Sequence, residues 1–159
     1  MARRTSGPAL AGDLVSVIYA GGSFDMFHAG HASLLAECRK LATPGGRVVV
    51  ALNSDAFIAA YKGRPPVCTY LEREAVLRAC RYVDEVILNR FGADSRPTID
   101  EIRPDIIAIG ADWKAKDYYR QMGFDRAWLD ARTITLTYVA HTYSDALSSS
   151  DIKTRLGAR

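Results

Sequence analysis

The densest chemistry in the 159 residues is Gly21-Gly22-Ser23-Phe24-Asp25-Met26-Phe27-His28-Ala29-Gly30-His31. It follows the apolar run Val15-Ser16-Val17-Ile18-Tyr19-Ala20 and precedes a segment with helical spacing, so the order reads strand, glycine turn, helix. Glycines at the end of a parallel strand let backbone N–H groups approach an anion, and the next helix start adds unpaired donors and partial positive charge. That is a phosphate cradle. His28 and His31 are three apart, so within one helical turn they share a face and point to the same site. Imidazoles beside a phosphate donate to oxygens that gain charge during phosphoryl transfer. The plainer reading is a tight turn with a histidine pair capping the core.

Five apolar, β-rich runs supply the frame: Val15 to Ala20, Val48 to Leu52, Glu85 to Leu88, Ile106 to Ile109 and Thr133 to Val139. They alternate with helical patterns, which predicts an α/β, Rossmann-like single domain with a five-stranded parallel sheet and helices on both faces. Ligands of such sheets sit beyond the carboxyl ends of the strands. Leu34, Leu35, Cys38 and Leu41 form a helical core stripe that Thr43-Pro44-Gly45-Gly46 ends. Asn53-Ser54-Asp55 is polar at a carboxyl edge, where Ser54 or Asp55 either caps the next helix or meets ligand. Lys62 and Arg64 lie in a turn with two prolines, which is either a solvated surface or a loop closing over phosphates. Leu71 to Val83 reads as a helix with a Glu74–Arg78 surface pair, and Asp94 to Arg103 as a short helix opened by Thr98. Gly110-Ala111-Asp112-Trp113 repeats the strand-end glycine, with Trp113 either a ligand wall or core. Ala115 to Phe124 is polar and aromatic, the expected acceptor-specificity region.

The length suits one domain, expected over 13–159 after a short disordered lead at 1–12. The net charge is +3 and no run of five Lys or Arg occurs, so nucleic acid is not an indicated partner. No apolar run approaches the roughly 18 residues that cross a bilayer, and the amino-terminal stretch has no secretory pattern. Cys38, Cys68 and Cys80 lack CxxC spacing, so neither a disulfide framework nor a zinc site follows, and a reducing cytoplasm fits.

Gly22-Ser23-Phe24-Asp25 with His28-Ala29-Gly30-His31 resembles the GxFD…HxGH signature of the nucleotidyltransferases related to cytidylyltransferases. Arg81-Tyr82-Val83-Asp84-Glu85-Val86 is similar to the RYVDEV word of glycerol-3-phosphate cytidylyltransferases. Gly110-Ala111-Asp112-Trp113 is similar to their G-D-D-W, with Ala111 replacing the first acid. Leu147 to Lys153 matches the second half of R-T-x-G-I-S-T-T-x-I-K, while Tyr143 falls where the arginine belongs. The resemblance runs from about residue 17 to about residue 155.

It implies that an acceptor phosphate attacks the α-phosphorus of a nucleoside triphosphate and pyrophosphate leaves, with catalysis by positioning and charge stabilisation. His28 and His31 are then assigned to α-phosphate and transition-state oxygens, and Lys62 and Arg81 to phosphate neutralisation. Gly22, Ser23, Phe24, Asp25, Gly110, Asp112, Ser148, Ser149 and Ser150 would bind nucleotide. Arg73, Asp55, Trp113 and Tyr143 would support the site or meet the acceptor. Mg²⁺ is expected on the triphosphate with no direct protein ligand, and a homodimer is the ordinary arrangement. RYVDEV and the Asp-Trp pair point to CTP and glycerol 3-phosphate. Tyr143 and Ala111 leave open ATP acting on a sugar phosphate or FMN. A non-catalytic nucleotide sensor is the alternative of another class, against which both motif histidines stand.

Overall fold

Strands β1 (Val17–Gly22), β2 (Arg47–Asn53), β3 (Glu85–Asn89), β4 (Ile106–Gly110) and β5 (Thr135–Val139) form one parallel sheet in the order β3-β2-β1-β4-β5. The computed structural model describes residues 15–140 and 148–157, so the expectations for the lead at 1–12 and for Tyr143 lie outside the described residues. Between and after the strands come α1 (Ala29–Leu41), α2 (Asp55–Lys62), α3 (Tyr70–Arg78), α4 (Arg96–Ile102), α5 (Tyr118–Met122), α6 (Arg126–Asp130) and α7 (Ser149–Gly157). A 3-10 turn covers Ala111–Ala115. The strand order reverses direction at β1, which puts a crevice beyond its carboxyl end.

Both sheet faces are covered, as the uniformly apolar strands require. Ile18, Ala20, Val48, Val50 and Leu52 pack with Leu35, Cys38 and Leu77 of α1 and α3. Tyr19, Ala51, Ile107 and Ile109 pack on the other face with Ile99, Tyr118, Phe124 and Leu129. Alternate residues of β1 therefore serve opposite cores. Burial pushes the Cys38 thiol up to about 12, so it behaves as a small apolar residue.

Several boundaries differ from the sequence pattern. β1 continues to Gly22 because Gly21 and Gly22 pair in register with Ala51 and Leu52 of β2. α3 stops at Arg78, five residues short of Val83, since the chain turns through Leu77–Cys80 and Cys80–Val83 bonds to enter β3. α4 opens at Ser95 with Pro97 in its first turn, where a missing N–H costs nothing. β5 begins only at Thr135, because Thr133 takes a left-handed φ of 59° in the preceding turn.

Candidate active site

Beyond β1 the chain makes a turn in which Phe24 and Met26 both adopt left-handed backbone, φ 48° and 49°. Such conformations persist only where surrounding contacts hold them. Asp25, 4% exposed, supplies those contacts. Its carboxylate accepts from the backbone N–H of Val67 at 3.0 Å and of Cys68 at 2.9 Å, and from Lys153 Nζ of α7 at 3.3 Å. Its carbonyl accepts from the Ser149 hydroxyl at 2.8 Å. Burial alone would raise its pKa, but these donors together hold it below the usual carboxylate value. Asp25 thus ties the cradle to the 65–68 loop and to α7 through bonds within the chain.

The turn delivers His28 to the N-cap of α1, where Nδ1 accepts from the Gly30 N–H at 3.1 Å. A backbone N–H can only donate, so neutral His28 carries its proton on Nε2, the donor left for the cavity. Burial lowers the His28 pKa against the opposing charge of Asp151, which favours that neutral form. The His31 ring stacks on His28 with centroids 3.8 Å apart and lies beside Phe24 and Phe27.

Arg73 organises the adjoining rim. Its buried guanidinium donates to the carbonyls of Ser23 (2.6 Å), Asn53 (2.9 Å) and Cys68 (3.1 Å) and to Asp55 Oδ1 (2.6 Å). The ends of β1 and β2 are thereby clamped by one planar fork. Asp55 also accepts from the Tyr70 N–H, and Ser54 caps α2 through the Phe57 N–H. Asp55 is a support outside the cavity lining.

A cavity of about 590 Å³ occupies this carboxyl edge, within the usual range for small-molecule sites. Of the residues expected to act, it is lined by His28, His31, Lys62, the Gly22–Asp25 segment, Gly110, Asp112, Trp113 and Ser148 to Ser150. Lys62 closes α2 before left-handed Gly63, and partial desolvation together with the neighbouring Lys153 charge lowers its pKa. Ser148 exchanges hydrogen bonds with Asp151 at the start of α7. Trp113 lines the cavity and also packs edge-on against Tyr118 at 5.5 Å, so it is both wall and core. Asp112 pairs with Lys116 at 3.3 Å.

Arg81 requires a correction. It is exposed outside the cavity, its guanidinium 5.7 Å from the Tyr82 ring centroid. The physical reason is polarity of the sheet: Arg81 precedes β3 and so sits at the amino edge, opposite the cradle. Asn89, which sequence reasoning left out, lines the cavity, as does Tyr118 of the stretch expected to set acceptor specificity. Asn89 is the carboxyl-terminal residue of β3, one place beyond the expected strand end, and a search of strand ends would have found it. Nothing local distinguishes Tyr118 from neighbouring Tyr119.

Among the described residues no group of three or more His, Cys, Asp or Glu is placed to hold a metal ion, and no helix is long and apolar enough to cross a membrane.

The family model described as cytidylyltransferase-like matches residues 19–155. A FAD synthase of Pyrococcus horikoshii is 38% identical over 95 residues, which cover 60% of this chain and 62% of that protein. The bifunctional protein HldE of Erwinia tasmaniensis is 38% identical over 138 residues, 86% of this chain and 26% of that protein. The chain thus spans less than two thirds of the length of either curated relative. A lipopolysaccharide core biosynthesis protein from Thermoplasma volcanium superposes with a TM-score of 0.61 at 30% identity, covering 82% of this chain and 99% of that one.

Proposed function

The chain belongs to the cytidylyltransferase-like family, and from that premise we propose that its cavity transfers a nucleotidyl group from a nucleoside triphosphate to the phosphate of a small acceptor. An acceptor phosphate oxygen forms the new bond to the α-phosphorus, the bond from that phosphorus to the bridging oxygen breaks, and pyrophosphate leaves with the electron pair. The attacking phosphate is anionic at neutral pH, so no strong base is needed. The stacked His28–His31 pair carries this reading: two imidazoles line the cavity at the cradle, one with its tautomer set by Gly30. His28 Nε2–H and His31 serve the α-phosphate as charge accumulates, Lys62 neutralises phosphate oxygens, and Ser148, Ser149 and Ser150 hold the β- and γ-phosphates at the start of α7.

Mg²⁺ would be carried by the triphosphate's own oxygens and would screen charge on the leaving pyrophosphate. Asp25 and Asp55 are engaged by chain donors and offer it no carboxylate. For the donor and acceptor, ATP and FMN are supported by the FAD synthase relative. A second reading, CTP with glycerol 3-phosphate, keeps the support of Asp112 and Trp113 at the cavity wall. The Arg81 to Val86 word adds little to it, since those residues lie outside the cavity lining. A reducing cytoplasm suits the three free thiols, and pairing into a homodimer is testable by sedimentation.

The deciding experiment is pyrophosphate release with ATP, CTP, GTP and UTP against FMN, sugar phosphates and glycerol 3-phosphate. ATP-dependent turnover with FMN is expected. Turnover confined to CTP and glycerol 3-phosphate selects the second reading, and nucleotide binding without turnover on the whole panel makes the protein a sensor.

A further inference from the structure

A chain of side-chain amides at the carboxyl ends of β2 and β3 has no part in the chemistry above. The Gly92 carbonyl can only accept, so the Asn89 atom 3.1 Å from it is Nδ2. That nitrogen also lies 2.9 Å from the Asn53 side chain, whose facing atom must then be Oδ1. Asn89 Oδ1 in turn accepts from the Thr98 hydroxyl at 3.2 Å. Asn89 and Thr98 are 4% and 1% exposed, so water cannot replace these bonds and the directions are locked. Turning the Asn53 amide over would set NH₂ against NH₂. Its Nδ2 is therefore the polar atom left over, on a residue that lines the cavity.

The position is informative. Gly22 pairs in register with Leu52, so Asn53 stands level with Ser23, beside the cradle. Lys62 of the following helix lines the same cavity, as do the stacked Phe57 and Tyr61 rings. Amide N–H and ammonium groups only donate. A ligand group that only accepts and carries negative charge matches them; a hydroxyl or an amine does so less well.

We propose that Asn53 is a substrate-contacting residue whose Nδ2–H group binds an oxygen of the acceptor's attacking phosphate, with Asn89 and Thr98 as its positioning residues. The assignment rests on the preceding reading that the acceptor carries a phosphate. It deepens that reading by placing the nucleophile on the β2 side of the cradle.

Asn53→Asp tests it cleanly, because the new carboxylate keeps the bond from Asn89 and the side-chain shape while presenting an anion to the cavity. The acceptor KM is expected to rise on the order of tenfold or more, with the nucleotide KM within about twofold and the melting temperature unchanged. Asn89→Asp, which loses its donor to Asn53, should raise the acceptor KM by a smaller factor with the same sparing of nucleotide, and Thr98→Ser should behave as wild type. An acceptor KM unmoved in Asn53→Asp, or equal rises for acceptor and nucleotide, overturns the proposal. Calorimetric titration of FMN, glycerol 3-phosphate and inorganic phosphate, with a non-hydrolysable ATP analogue present, separates this test from the enzymatic reading. If wild type releases no pyrophosphate with any pair, that reading fails, yet weaker phosphate binding by Asn53→Asp still upholds the subsite. Binding of these probes equally by both proteins, or by neither, refutes it.

Discussion

Arg73 and Lys62 are both cations at the carboxyl edge of the sheet, and the fold employs them in opposite ways. The four hydrogen bonds of Arg73 described above all end on oxygens of the chain: three carbonyls and the Asp55 carboxylate. Lys62 lines the cavity, where burial first and then the charge of Lys153, with smaller help from Arg64 and Arg73 and against the pull of Asp25, makes its ammonium less readily protonated. A charge whose bonds are closed within the chain positions a site. One held among like charges beside a cavity is kept for an anion that has yet to arrive. Asp25 falls with Arg73, and His28 with Lys62.

The largest effect expected of this contrast is on folding. Arg73→Met leaves Asp55 and three carbonyls without their donor and should cost about 3–5 kcal/mol in chemical denaturation, whereas Lys62→Met should stay within about 0.5 kcal/mol. Equal destabilisation by the two variants would erase the distinction. Next in size are the kinetic effects: His31→Ala and Lys62→Met should each lower turnover on the order of 10²-fold, read by pyrophosphate release, with the fold intact by circular dichroism.

The pH profiles sharpen the same contrast from both limbs. Asp25 has a lowered folded pKa, so its contribution to stability is complete above the unfolded value near about 3.9 and is lost as pH falls through the folded one. Asn at this position should flatten the acid limb of a stability curve. In the proposed reaction Lys62 acts protonated, and its pKa is lowered, so kcat/KM should fall with rising pH earlier than an ordinary lysine would allow, and Lys62→Arg should move that limb upward. The smallest effect belongs to Arg81→Ala, expected within about twofold in turnover, because its side chain lies at the other edge of the sheet; a large loss would return it to the phosphates.

The cradle and its parallel sheet could be read in the sequence because both are local signals. An apolar run marks a strand, glycines mark its end, and the histidine spacing marks a helical face. What could not be read was where each polar group makes its bonds. Asp25, expected at the nucleotide, satisfies two amides 42 and 43 residues away. Of the roles left open for Ser54 and Asp55, Ser54 took the helix cap, while Asp55 pairs with Arg73, a bond that neither reading named. The Arg81 to Val86 word is family-like yet leads into the amino end of β3, because a motif reports ancestry while strand direction decides which edge it reaches. Asn89 was missed through a single residue of strand length.

The contacts between α7 and the cradle have a consequence for how the molecule is made. Ser149 and Lys153 reach Asp25 across 124 and 128 residues, and α7 has no buried residue of its own. Closing so long a loop is slow compared with forming its helices, and a nascent polypeptide folds from its amino end. On the ribosome the histidine turn is therefore born without its last brace, and affinity for triphosphate should emerge only once α7 has left the exit tunnel.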